Sequence, residues 1–263
     1  MALLRILLKR GDCVTKAEKT VRYGGVALGE LFALGTVIWL FQTGQTDRLP
    51  MGFGTMVLVL LPAILERLFS CKCSLPVYVF GLLYAIGPML GQCYNFYYTI
   101  FWWDKLLHIS GGVMFAILGL FLFDCMNHGQ KNLLLCAMFA LLFSMAIALA
   151  WEFVEFGSDR LLHTDMQDDT VITALYSYML DEGVGVAGSI ENIGSVVIDG
   201  TPLPVNGYID IGLIDTMMDM LLESLGGLAV CAVYLIDRGN HPMIRRIDPA
   251  NTARFGRERK MSV

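Results

Sequence analysis

Three stretches of the chain carry ionisable residues at helical spacing inside otherwise apolar sequence. The first is Trp103-Asp104-Lys105-Leu106-Leu107-His108, where Asp104 and His108 stand one turn apart on a face continued by Gly111, Gly112 and Phe115. The second is Trp151-Glu152-Phe153-Val154-Glu155, whose two acids share a face at i and i+3, with Asp159 extending it at i+7. The third opens Asp215-Thr-Met-Met-Asp219 and runs on to Glu223 and Gly226, stacking three acids at i, i+4 and i+8. A carboxylate beside an imidazole sets its tautomer and basicity, which suits Asp104 and His108 to acid/base catalysis or proton transfer. Carboxylates on several helices, Glu152, Glu155, Asp215, Asp219 and Glu223, form an all-oxygen ligand set suited to Mg²⁺ or Mn²⁺, whereas a single histidine argues against a zinc hydrolase.

The elements that position these residues follow from composition. The 263 residues are 56% hydrophobic and only 16% charged, against roughly 25% charged in a soluble domain. Mean hydropathy is +0.59. A disordered chain, a collagen-like chain and a small disulfide scaffold are excluded. A membrane span needs about 20 mostly apolar residues, and such runs fall at 24–42, 51–69, 75–98, 106–125, 132–155 and 213–236. The expected fold is an all-α integral membrane protein, a six-helix transmembrane bundle with one long extracytoplasmic loop.

An even number of spans puts both termini on one side, and basic residues are retained in the cytoplasm. Residues 1–22 and 237–263 hold 13 of the 19 Lys and Arg, so both termini are expected to be cytoplasmic. Residues 156–212 hold nine carboxylates against a single Arg160 and are expected outside. Trp39, Trp102, Trp103 and Trp151 all fall at outer span ends, where indoles favour the interface. The chain divides into a basic amphipathic segment (1–23), five spans (24–155), the acidic loop (156–212), a sixth span (213–236) and a basic tail (237–263). Within the loop, 170–180 is apolar and reads as a short helix capped by Asp168 or Asp169. Turn pairs Asp199-Gly200 and Asn206-Gly207 around β-branched residues point to a small hairpin in 183–209.

On this topology the polar stripes of spans four, five and six meet in the outer third of the membrane, with Glu223 about 12 Å deeper than Asp215. Ionisable residues in a span cost about 2.5–3.5 kcal/mol each. Either some of these acids are protonated or a cation sits among them. Asp104 and Asp215 have a plainer explanation as acids at helix N-termini. Glu152 and Glu155 are expected at a helix C-terminus, where the macrodipole opposes them, and Lys105, protonated His108, a divalent metal or ionic ligand, or headgroup water are the candidates to compensate. Glu30 is expected to pair with Arg67. Asp165, Asp168 and Asp169 lack the glycine and closing glutamate of an EF-hand and read as a solvated turn. The seven cysteines are scattered and odd in number, consistent with free thiols.

The acidic pair Glu152-x-x-Glu155 followed by Asp215-Thr-Met-Met-Asp219 resembles the YjdF group of uncharacterised bacterial inner-membrane proteins. The run Asp104-Lys105-x-x-His108, the acidic pair and Asp219-x-x-x-Glu223-x-x-Gly226 are similar, more distantly, to the VanZ-like membrane proteins, although Glu155 replaces their Gln and Glu223 their Asn. The likeness covers spans four to six and implies a multi-pass bacterial plasma-membrane protein of unassigned biochemistry. Three functions remain open. One is a divalent-metal enzyme on a lipid-linked or envelope substrate, with Asp104 and His108 catalytic. The second is a cation- or proton-coupled transporter, and the third a structural or assembly protein. Membrane lipid is the expected partner, and the basic tail is read as touching anionic lipid rather than nucleic acid.

Overall fold

The structure is a computed structural model and describes residues 15–68, 71–126, 132–181, 183–239 and 244–246. Among the described residues, six helices are long and apolar enough to cross a membrane. They are α1 (Lys16–Thr43), α2 (Leu49–Leu68), α3 (Leu75–Cys93), α5 (Trp103–Met126), α6 (Leu133–Leu162) and α7 (Leu213–Ile236), with a short α4 (Phe96–Thr99) before α5. The expected all-α membrane bundle is what forms. The proposed amphipathic segment 1–14 and most of the basic tail lie outside the described residues.

The chain forms two compact units, Met1–Met145 with Glu223–Val263 and Ala146–Leu222. In unit 1, α1 starts eight residues before its apolar run. A capping box explains this: Thr15 Oγ1 accepts from Glu18 N–H and Glu18 accepts from Thr15 N–H, both at 3.1 Å. Gly44 at φ 75° ends the helix in the left-handed region that glycine tolerates best. Helices α1 and α3 bury Ala33 and Leu40 against Met89 and Cys93, while α2 and α3 bury Val59 with Tyr78, Leu82 and Ala85.

The rest of unit 1 packs α5 with the first half of α6 and the second half of α7 around Ala116, Leu120, Ala137, Ala140 and Val230. Between membrane helices there is little hydrophobic driving force, so close approach of small residues supplies the packing. A Cβ on Gly119 would lie 2.8 Å from Ala140 Cα, and one on Gly226 would lie 2.3 Å from the Ile109 carbonyl oxygen. Outward-facing side chains such as Leu28, Leu31, Val57, Leu83 and Leu142 are exposed, as a lipid-facing surface requires.

Two features of unit 1 differ from expectation. Arg22, not Arg67, neutralises a buried acid, and the acid is Glu66 rather than Glu30: Arg22 Nη1 stands 2.5 Å from Glu66 Oε1 with both side chains buried. Glu66 and Arg67 are adjacent on α2, so about 100° of helical rotation separates them; Glu66 turns inward and Arg67 stays exposed. Secondly, β1 (Cys71–Cys73), in the α2–α3 connection, pairs antiparallel with β8 (Ile244–Arg246), which follows α7. That pairing puts the chain beyond the sixth span at the same end of unit 1 as an even-numbered connection, in agreement with the even span count.

Unit 2 holds the second half of α6, the acidic loop and the first turns of α7. The expected helix over 170–180 is absent. Residues 171–172 form β2, 174–177 form β3 and 178–180 a single 3₁₀ turn. β2 pairs with β7 (Tyr208–Ile209) and β3 with β4 (Gly188–Glu191), so a partner supplied from elsewhere in the loop overrides the weak local preference of TVITALYSYML. The expected hairpin does form, between β5 (Val197–Ile198) and β6 (Thr201–Pro202), with Asp199 at φ 49° and Gly200 at φ 81° between the strands.

Candidate functional site

Unit 1 contributes the Asp104 and His108 pair. On α5, His108 Nε2 lies 3.4 Å from Asp104 Oδ1, and Lys105 Nζ donates to Asp104 Oδ2 at 3.0 Å. His108 is buried, Asp104 is half-buried, and one carboxylate thus addresses both the imidazole and an ammonium. Trp103 anchors the first turn by donating from its indole to the Gly87 carbonyl at 3.2 Å.

Further along the same face, the missing side chains of Gly111 and Gly112 admit Glu223. A Cβ on Gly111 would come within 2.6 Å of Glu223 Oε1 and 2.8 Å of the Tyr84 hydroxyl oxygen, so carboxyl and phenol occupy the space glycine leaves. Glu223 is buried, and Tyr84 is held edge-on against Phe115 with ring centroids 5.9 Å apart. Ser144 of α6 donates to the Gly112 carbonyl at 3.1 Å, fixing the backbone beside this carboxyl. Sequence spacing identified Asp104, His108 and Glu223 but passed over Tyr84 and Ser144. A lone hydroxyl within an apolar run was the available signal for both.

Unit 2 holds the other four predicted acids. Glu152, Glu155, Asp215 and Asp219 are only 4%, 6%, 8% and 1% exposed. Glu155 accepts from the Trp151 indole at 2.7 Å, one turn back on α6; because α6 runs on to Leu162, Glu152 and Glu155 lie inside the helix and not at the expected C-terminus, where the macrodipole would oppose them. Asp215 lies in the first turn of α7, as expected of an acid at a helix N-terminus, and its Oδ2 also accepts from the Asp168 backbone N–H at 3.0 Å and tethers the loop. Asp210, ahead of the helix, also accepts from Ile214 N–H and Thr170 N–H, each at 2.8 Å.

The loop's entry is stitched in the same way. Asp159 accepts from the Thr164 hydroxyl and Met166 N–H at 2.7 Å and from Gln167 N–H at 2.9 Å, and the Gln167 amide donates to the Thr216 hydroxyl. Asp165, Asp168 and Asp169 therefore belong to a turn whose N–H groups serve neighbouring carboxylates, and no helix follows them. Burial, and then the charges of Asp159 and Asp215, raise the Asp165 pKa above the ordinary carboxylate range. Burial followed by Asp165, Asp210 and Asp159 does the same for Asp169.

A carboxyl with a raised pKa in the fold holds its proton more tightly there than in the unfolded chain. Its contribution to stability is full below about pH 4 and is lost as pH rises through the raised value. Hydrogen exchange of residues 164–172, corrected for intrinsic rate, is expected to show weaker protection at pH 7 than at pH 4. Asp165→Asn with Asp169→Asn should flatten that dependence. Protection that increases toward neutral pH in the wild type would contradict the arrangement.

Six apolar helices, three of them bearing buried carboxylates, with a strand-rich acidic loop between the last two, define a multi-spanning membrane protein. Residues 26–240 match the model of the family described as "Predicted membrane protein (DUF2238)", and the chain belongs to that family, which is the YjdF family. The match begins within α1, so it extends well beyond the last three spans that carried the sequence resemblance. No curated protein and no solved structure matches the chain.

Proposed function

We propose that the protein binds a divalent cation within the membrane and uses it in chemistry on a lipid-linked or envelope substrate. Glu152, Glu155, Asp215 and Asp219 supply the oxygen ligands, and in unit 1 Asp104 orients His108 as the acid/base. One observation carries the reading. Unit 2 buries all four of these carboxylates on two apolar helices, at 4%, 6%, 8% and 1% exposure. An all-oxygen donor set takes Mg²⁺ or Mn²⁺ before zinc. The cation would polarise a substrate oxygen or lower the pKa of bound water. The resemblance of the Asp104-Lys105-x-x-His108 run to the VanZ-like pattern is in keeping with a polar intramembrane site at this point of the chain.

A second reading has its own support. Glu223, the deepest acid of the α7 stripe, shares the space over Gly111 with the Tyr84 hydroxyl, one turn along α5 from His108, which is a path along which protons could pass. Manganese binding to the full chain purified in detergent tests the first reading. Wild type should bind, and Glu152→Gln or Asp219→Asn should weaken binding by at least about tenfold, the loss of one charged ligand. No binding in wild type, or binding untouched by either change, would discard the metal site. A cation or proton flux in reconstituted vesicles that Glu223→Gln removes would select the transport reading instead.

A further inference from the structure

Unit 2 presents an apolar tip flanked by acids. β3 and β4 form a two-stranded ribbon with Tyr176 opposite Ser189 and Leu175 opposite Ile190, and the connection between them carries Tyr178, Met179 and Val184. Met179 is 94% exposed and Tyr178 69%, while Val184 is fully exposed. Tyr176 on the ribbon itself is exposed as well.

A closed backbone holds these side chains out. Ser177 Oγ accepts from Met179 N–H at 3.1 Å, and Asp181 Oδ1 accepts from Gly183 N–H at 2.7 Å. Val186 N–H donates to the Gly183 carbonyl at 3.4 Å. Gly188 lets the 3₁₀ turn fold back on the ribbon, because a Cβ there would stand 2.7 Å from the Leu180 carbonyl carbon and oxygen. A surface ordered before contact loses less entropy on binding. Tyrosine and methionine are also among the side chains that protein interfaces favour, and tyrosine supplies large contact area at low conformational cost.

Charge selects among the surfaces that can cover the tip. Asp181 and Glu191 are exposed, and the Glu191 carboxylate accepts from the Tyr176 hydroxyl at 3.3 Å. From residue 161 to residue 237 the chain encodes no Lys or Arg. Anionic lipid attracts basic segments and would repel this one. A second copy would set the same acids against their like. A cationic polypeptide gains from the apolar contact and from the charge together.

We propose that the β3–β4 tip docks a partner protein through a segment bearing Lys or Arg around an apolar anchor. Tyr176, Tyr178, Met179 and Val184 make the apolar contact, and Asp181 and Glu191 meet the positive charge.

The test places the photocrosslinker benzoylphenylalanine at Val184 in the full chain, irradiates isolated membranes of the native host and maps the adduct by mass spectrometry. The expected adduct is one polypeptide, joined through a segment of net positive charge. Met179→Ser should lower its yield by about tenfold or more, the loss of a contact that dominates an interface. Asp181→Asn with Glu191→Gln, which keeps the hydrogen-bond acceptors, should lower it by about threefold or more, the scale of two exposed ion pairs. Raised salt should act in the same direction. A lipid adduct, an adduct with a second copy, a joined segment of neutral or negative charge, or no adduct overturns the proposal. So does a cationic adduct whose yield the Asp181 and Glu191 changes leave untouched.

Discussion

Gly112→Leu is expected to prevent the native packing of α5 against α7. A Cβ at residue 112 would stand 2.0 Å from the Glu223 carbonyl oxygen and 2.9 Å from Glu223 Cα, so the obstruction is backbone, which cannot rotate aside. Overpacking a core against movable side chains costs about 1–3 kcal/mol; with main chain on both sides the helices must separate, and the cost should exceed that range. Separation also removes the Ser144 hydrogen bond to the Gly112 carbonyl and the seat of the Glu223 carboxyl over Gly111. Thermal unfolding in detergent reads the outcome. Gly54→Ala, at a helical glycine with nothing within 4 Å of its Cβ position, is the control and should be neutral or stabilising. An unfolding temperature for Gly112→Leu equal to that of the control would show that the two helices do not cross here.

The second large effect is expected at Arg22. Its guanidinium bonds Glu66, donates to the Cys73 carbonyl and lies 4.5 Å from the centroid of the Tyr78 ring. Arg22→Ala leaves the Glu66 charge uncompensated and should destabilise by about 3–5 kcal/mol. Replacing both partners by methionine should recover most of that loss, because desolvating the pair offsets much of its attraction. Equal destabilisation in the single and double variants would mean that the packing of Arg22 on Tyr78, and not its charge, is what matters. The single variant also releases β1 from α1, so hydrogen exchange in 71–73 should rise with it.

The sequence reading went furthest where one helix decides the answer. Asp104 and His108 share a face because four residues make about one turn, and the same arithmetic aligned Asp215, Asp219 and Glu223. It failed where a partner distant in the chain decides. Glu30 with Arg67 and Glu66 with Arg22 were equally compatible with charge and depth, and only the rotation of α2 about its axis separates them. The segment 170–180 reads as a helix in isolation, yet β7 and β4 draw it into strands. Asp210 escaped notice as an acceptor at the start of α7 because the acids that follow it, Asp215 and Asp219, dominated the stripe.

By itself the sequence determined that the chain lies in a membrane, how many times it can cross and which acids share each helix face. Those properties depend on apolar length and on helical period, which neighbouring residues set. The tertiary structure decided the Gly112 contact with the Glu223 backbone, the Arg22 and Glu66 pair and the β1–β8 ribbon. Each joins segments far apart in sequence. Their register is chosen by shape and charge at the point of contact, and no local pattern records it.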